Sequence, residues 1–211
     1  KLNAHKATVT FTETERGGKT LEDKTTVTLR NCDGKTDCPS AAFTDLNTDA
    51  WYHEYTDYVL ENGLMNGMGN GIFAPNDSMT YAEFLVVLSQ FSGEPLPASD
   101  GAWYQSYVDW ARRAALIPEE MTSFAPDASI TRQDMAALFA NFLESYGGAV
   151  EPVNEGSASF ADATSIAGYA AGGVQTCYEL GLMSGNEDGT FAPLNTATRA
   201  EVTVTMTQMA R

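Results

Sequence analysis

The sequence predicts a mainly α-helical body of three helix-loop-helix repeats, preceded by a short β-hairpin tail. Three observations predict it. One word pattern recurs three times at fixed intervals after residue 43. Apolar residues inside each copy recur at helical spacing. Two Thr- and Val-rich segments before residue 42 alternate as strands do. The chain has 211 residues, 43% hydrophobic and 19% charged, enough for a core and against wholesale disorder. No stretch approaches the ~18 apolar residues that a membrane helix needs, so no membrane insertion is expected. Residue 1 is Lys and no signal peptide is visible, which reads as a mature form or an excised fragment.

The tail comes first. Residues Ala7–Thr12 alternate with Val9 and Phe11 on one face, and Thr25–Arg30 with Val27 and Leu29. The charged segment with Gly17-Gly18 between them reads as the turn. Two strands alone are marginal in water, so residues 1–42 read as the end of an upstream domain with its linker, or as a hairpin that docks on the body. Cys32 and Cys38 flank Asp33 and Gly34, with Pro39 following. They read as a small disulfide loop, which fits an extracellular setting, or as two free thiols in a linker. Two cysteines without a nearby His do not make a zinc site, and no metal is expected.

Charge marks the same boundary. The net charge is −16, yet all five Lys lie at or before residue 35. Residues 1–42 carry a net +1 and residues 43–211 a net −17. Nucleic acid is therefore excluded as a default partner, since phosphate contacts need a basic face. The body keeps only Arg112, Arg113, Arg132, Arg199 and Arg211.

The repeats follow, in residues 43–96, 97–150 and 151–211. The first holds Trp51-Tyr52, Gly63-Leu64-Met65-Asn66-Gly67, Phe73-Ala74-Pro75 and Thr80-Tyr81-Ala82-Glu83. The second holds Trp103-Tyr104, Ala115-Leu116-Ile117, Phe124-Ala125-Pro126 and Thr131-Arg132-Gln133-Asp134. The third holds Tyr169, Gly181-Leu182-Met183-Ser184-Gly185, Phe191-Ala192-Pro193 and Thr198-Arg199-Ala200-Glu201. The aromatic lies 12 residues before the Gly or Ala in every copy, and the Phe lies 10 before the final acid.

In copy 1 the first helix is read from Trp51, Tyr55, Tyr58 and Val59, ending at a left-handed Gly63. A Gly- and Asn-rich loop follows. Thr80 caps a second helix with Phe84, Leu85, Val87, Leu88 and Phe91 on its apolar face. Met135, Leu138, Phe139 and Phe142 repeat this face, and Val202, Val204, Met206 and Met209 form a weaker one. Cys177 falls inside a helical apolar pattern and reads as a small core residue. Thr80 with Glu83 and Thr198 with Glu201 are capping boxes, and Thr131 with Asp134 is a looser version because Asp is shorter.

Arg132 and Arg199 stand at the first helical position, where a cation opposes the helix dipole by roughly 0.3–1 kcal/mol. A helix start offers free N–H groups to anions, and a guanidinium beside them completes a carboxylate or phosphate pocket. The alternative is an Arg folded onto an acid of a neighbouring repeat.

These words, in this order and spacing, resemble three tandem S-layer homology repeats. The Phe43-Thr44-Asp45 and Phe160-Ala161-Asp162 openings add to the match, which spans residues 43–211. The resemblance implies a pseudo-threefold bundle with one helix per repeat at the centre. It implies a secreted, non-catalytic module at the bacterial cell surface that binds secondary cell-wall polysaccharide in grooves between repeats, often at a pyruvylated sugar, without a cofactor. Arg199 and Arg132 would then meet the pyruvyl carboxylate. Trp51 and Trp103 would offer sugar-stacking faces, unless they are packed in the core. Gly67 and Gly185 would let backbone approach the ligand, unless they merely turn the chain. Tyr81 replaces the Arg of copy 1, which leaves that groove either dead or dependent on a phenol hydroxyl. Copy 2 lacks the Phe-x-Asp opening and the paired glycines. Two other functions compete: assembly of a surface lattice by protein contacts alone, and, more remotely, a glycan-acting enzyme using a pair of the 28 acids. With only His5 and His53 in the chain, no Ser–His–Asp arrangement is suggested.

Overall fold

The three repeats share one fold, and their second helices start just after the Thr residues that the sequence marks as caps. The structure is a computed structural model. It describes residues 38–147 and 151–210 in full, and the backbone of residues 6–14 and 20–28. That backbone is an antiparallel pair, β1 (Lys6–Thr14) and β2 (Thr20–Thr28), with Val9 opposite Thr25 and Ala7 opposite Val27. The second strand starts five residues before the alternation suggests, because the ladder continues through Glu22, Asp23 and Lys24. Cys38 is disulfide-bonded; Cys32 lies outside the described residues.

Each repeat contributes two helices: α1 (His53–Glu61) and α2 (Tyr81–Ser92), α3 (Gln105–Arg113) and α4 (Arg132–Tyr146), α5 (Gly168–Glu179) and α6 (Arg199–Ala210). The first helix of copy 1 starts at His53 rather than Trp51, since Trp51 lies in a turn and Tyr52 is the cap residue. Gly63 and Gly181 end the first helices in the left-handed region (φ +65° and +67°), as does Ala115 (φ +53°). The capping boxes at Thr80/Glu83 and Thr198/Glu201 are complete in both directions. At Thr131 only the forward arm forms, from the Asp134 N–H. The return arm expected from the sequence is absent, because the Asp134 carboxylate points elsewhere.

The second helices carry the core. Phe84, Leu85, Leu88, Met135, Leu138, Phe139, Val202 and Met206 are fully buried. The weaker apolar face of α6 has a physical reason. Its buried positions include Thr203, Thr205 and Thr207, whose hydroxyls donate to the carbonyls four residues earlier. The polar groups are thus satisfied inside the core. Cys177 is buried in the same core, as read.

The packing is cyclic. α1 packs on α6, α3 on α2, and α5 on α4, so each first helix lies on the second helix of the preceding repeat in the ring. At the centre, three backbone bonds close a loop: Met79 N–H to Ala197 C=O, Ala197 N–H to Ile130 C=O, and Ile130 N–H to Met79 C=O, each 2.9–3.0 Å. All three residues are fully buried. This ring is the pseudo-threefold axis.

Candidate functional site

The ring decides what happens at the helix starts. The first two N–H groups of α2 donate to Ala128 and Pro126, those of α4 to Asn195 and Pro193, and those of α6 to Asp77 and Pro75. Each Phe-Ala-Pro loop thereby caps the second helix of the preceding repeat in the ring. This corrects the idea of an open anion site at the helix N-termini, since those donors are already paired with protein carbonyls. The two guanidinium side chains, by contrast, each line a groove between repeats.

Two grooves contain these arginines. The first, of about 240 Å³, is lined by Arg132, by Ser184 to Asn186 and Glu201 of repeat 3, and by Trp51 of repeat 1. The second, of about 190 Å³, is lined by Arg199, by Leu64 to Asn66 and Glu83 of repeat 1, and by Trp103 of repeat 2. The pattern is the same in both. One repeat gives the Arg, the next in the ring gives the Gly-Leu-Met loop and the acid, and the third gives the Trp. Both tryptophans are 61% exposed, so the core-packing alternative is wrong for them. Each is steadied edge-on by its neighbour, Tyr52 or Tyr104.

The arginines are held in matching ways. Arg132 Nε donates to the Phe191 carbonyl (2.9 Å) and Nη2 to the Ser184 carbonyl (3.0 Å), while Nη1 pairs with Glu201 at 2.8 Å. Arg199 Nε donates to the Phe73 carbonyl (2.8 Å) and Nη2 to the Asn66 carbonyl (2.7 Å). Each guanidinium also lies over the Phe ring, 5.0 Å from the centroid of Phe191 and 4.8 Å from that of Phe73. Burial lowers the pKa of the Arg199 guanidinium, while Glu83, Asp77 and Asp45 oppose that shift from a distance. The capping acids therefore have two duties, closing the helix start and standing in the groove.

The glycines serve neither a turn alone nor ligand approach alone. A Cβ at Gly67 would lie 2.1 Å from the Phe43 ring, and one at Gly185 would lie 2.8 Å from the Phe160 ring. The Phe of each Phe-x-Asp opening thus packs onto bare backbone. Gly185 also lines the Arg132 groove, whereas Gly67 is not among the residues lining the Arg199 groove. The Asp of each opening accepts two consecutive N–H groups. Asp45 holds Phe73 and Ala74 at 2.9 and 2.7 Å, and Asp162 holds Phe191 and Ala192 at 2.8 Å each. Since Phe73 and Phe191 carry the carbonyls that receive Arg199 and Arg132, these acids position the arginines. The sequence signal was present in the recurring Phe-x-Asp, but its partner was not.

The third position in the ring is different. Tyr81 stands where the Arg belongs, is 1% exposed, and donates its hydroxyl to Asp134. Tyr169, the aromatic of repeat 3, donates to the other Asp134 oxygen, and Ser123 adds a third hydroxyl. Burial, then the hydrogen bond to Asp134, raises the pKa of both phenols.

A Ser, His and Asp do meet near the start of α1, but not as a relay. The Ser40 hydroxyl lies 3.1 Å from His53 Nε2, while Asp57 accepts the Ser40 backbone N–H. Asp57 thus orients the serine backbone and makes no hydrogen bond to the imidazole.

Comparison with known proteins agrees with this geometry. The S-layer homology domain model matches residues 42–85, 96–136 and 159–203. The chain is 29% identical to an amylopullulanase of Thermoanaerobacterium thermosulfurigenes, over 75% of this chain and 9% of that protein. It is 25% identical to an S-layer protein of Bacillus thuringiensis subsp. finitimus, over 76% of this chain and 20% of that protein. It is 32% identical to a cellulosome-anchoring protein of Acetivibrio thermocellus, over 50% of this chain and 26% of that protein. The chain thus spans between 9% and 26% of the length of these relatives. Three matched segments, covering more than half of the residues, make the chain a member of the S-layer homology domain family.

Proposed function

We propose that this chain is a non-catalytic anchoring module that holds a larger protein to the bacterial cell wall by binding an acidic secondary polysaccharide in its inter-repeat grooves. The location itself, at the wall-associated cell surface, follows from the family and its S-layer relatives. The single observation that carries the ligand reading is Arg199. It is a buried cation aimed into a groove with an exposed Trp103 on the rim. A cation out of water favours an anionic partner, and a flat exposed indole favours a sugar ring beside it. A pyruvyl ketal on a terminal sugar supplies both features. Each groove contains one acid, Glu83 or Glu201, already engaged in a helix cap, which argues against paired-carboxylate hydrolysis there.

The test uses purified sacculi with and without their secondary polymer, mixed with the chain and sedimented. Pelleting is expected only with the polymer present. Equal pelleting in both would overturn glycan binding and leave assembly by protein contacts as the anchoring mode.

A further inference from the structure

The three positions around the ring differ in how their charge is already spent. At Arg132 the guanidinium donates through Nε, Nη1 and Nη2, and its Nη1 partner is a carboxylate at 2.8 Å. Glu201 cannot swing clear of an incoming anion without breaking its cap, because Oε2 receives the Thr198 N–H and hydroxyl at 2.8 and 3.0 Å. A ligand carboxylate would therefore meet Glu201 as a like charge.

At Arg199 only Nε and Nη2 are engaged, both with neutral carbonyls. Among the described residues no acid lies within 4 Å of it, although the residue is 95% buried. The walls differ in the same sense. Both grooves are lined by a Leu-Met pair, a Val, a Gln and a capping Glu, but the Arg199 groove has Val87 where the Arg132 groove has Thr205, and the Arg132 groove adds Gly185 and Asn186. An apolar wall strengthens a charge contact by excluding water, and a polar wall suits hydroxyl groups. At the third position Tyr81 replaces the cation, and the two phenols close on Asp134.

We infer that the three grooves are graded: Arg199 alone takes an anionic substituent, the Arg132 groove is kept neutral by Glu201 and takes uncharged sugar hydroxyls, and the Tyr81 position is closed. Glu201 is then the residue that sets the specificity of its groove. This inference rests on the glycan reading above.

The experiment is calorimetric titration of the full chain with two probes, a hexose carrying a carboxyethylidene ketal and the methyl ester of the same ketal. The acid is expected to bind at one site per chain, and the ester at least tenfold more weakly at that site. Arg199→Gln should remove acid binding, and Arg132→Gln should leave it within about twofold. Glu201→Gln should raise the acid stoichiometry from one to two. Gln retains the reach of a capping box, so this gain of a site does not depend on a variant that fails to fold. Two equal acid sites in the unmodified chain, or loss of acid binding in Arg132→Gln with retention in Arg199→Gln, would overturn the grading alone. Binding of neither probe would overturn the glycan reading itself.

Discussion

A Cβ at Gly67 would overlap the edge of the Phe43 ring and lie 2.9 Å from the Ile72 carbonyl, so the space is closed by a ring and by backbone. Overpacking of this kind typically costs about 1–3 kcal/mol. Gly67→Ala is expected to lower the unfolding midpoint in denaturant without changing its slope, and an unchanged midpoint would refute the contact. Titration gives a second test at this scale. Burial pushes the Cys177 thiol up to about 12, and the Tyr81 and Tyr169 phenols are raised by burial and by Asp134. Above the ordinary values of about 9 for the thiol and about 10 for the phenols, the unfolded chain loses protons that the folded chain keeps. Stability should therefore be complete below about pH 9 and fall as pH rises further. A Cys177→Ala/Tyr81→Phe double variant is expected to show a shallower alkaline slope, whatever its stability at neutral pH. An equal slope would mean that these groups are not the ones shielded from ionisation. The residue scale is also where sequence reading stops short. The recurring Gly was visible, but the ring pressed against it is 24 residues away. The exposure of Trp51 and Trp103 was invisible, because an aromatic at a helix start looks the same whether it packs or protrudes.

The Phe-Ala-Pro loop shows how one element serves both fold and site. Asp45 and Asp162 each hold two successive N–H groups, and the Ala between Phe and Pro sits at φ +57° or +55°. That conformation costs an L-residue roughly 1–2 kcal/mol. Repeat 2 has no Phe-x-Asp opening, and its Ala125 is not among the residues with positive φ. The opening acid and the left-handed Ala therefore go together. Asp45→Ala should destabilise the chain by about 1.5–3 kcal/mol, the range for hydrogen bonds to a charged group. It should also weaken the Arg199 groove, because the Phe73 carbonyl that receives Arg199 is no longer fixed. Ala74→Gly should do the reverse and raise the melting temperature slightly, as relief of the left-handed strain exceeds the ~0.4–1 kcal/mol of added chain entropy. A drop in melting temperature for Ala74→Gly would contradict the geometry. The helices and caps were legible in sequence because their signals lie within four residues. The cap supplied by a neighbouring repeat was not, because it joins residues such as Ala82 and Pro126 through the closed ring.

At the scale of the whole molecule, no repeat is a unit of folding. Each first helix packs on the second helix of another repeat, each second helix start is capped by the next repeat's loop, and the axis is a cycle of three hydrogen bonds with one residue from each copy. In a linear solenoid, removing a terminal repeat leaves the others with their neighbours. In a ring of three, removing any repeat opens two of the three contacts. A fragment ending at residue 150 would lose α5 from the face of α4 and α6 from the face of α1. It would also lose both Ala197 bonds on the axis, the caps on α4, and Arg199 with its groove. The uncovered surface would include Ala136 and Ala137, against which Gly173 packs, and Met65, which receives the Thr203 hydroxyl, all buried in the intact chain. The fragment is therefore expected to show no cooperative thermal transition and to bind a hydrophobic dye, as loosely packed compact states do. Adding residues 151–211 as a separate chain should restore a cooperative transition whose midpoint rises with concentration, since folding is then coupled to association. A fragment that melts cooperatively near the temperature of the full chain would show that the repeats fold independently, and the grooves could no longer be regarded as products of ring closure.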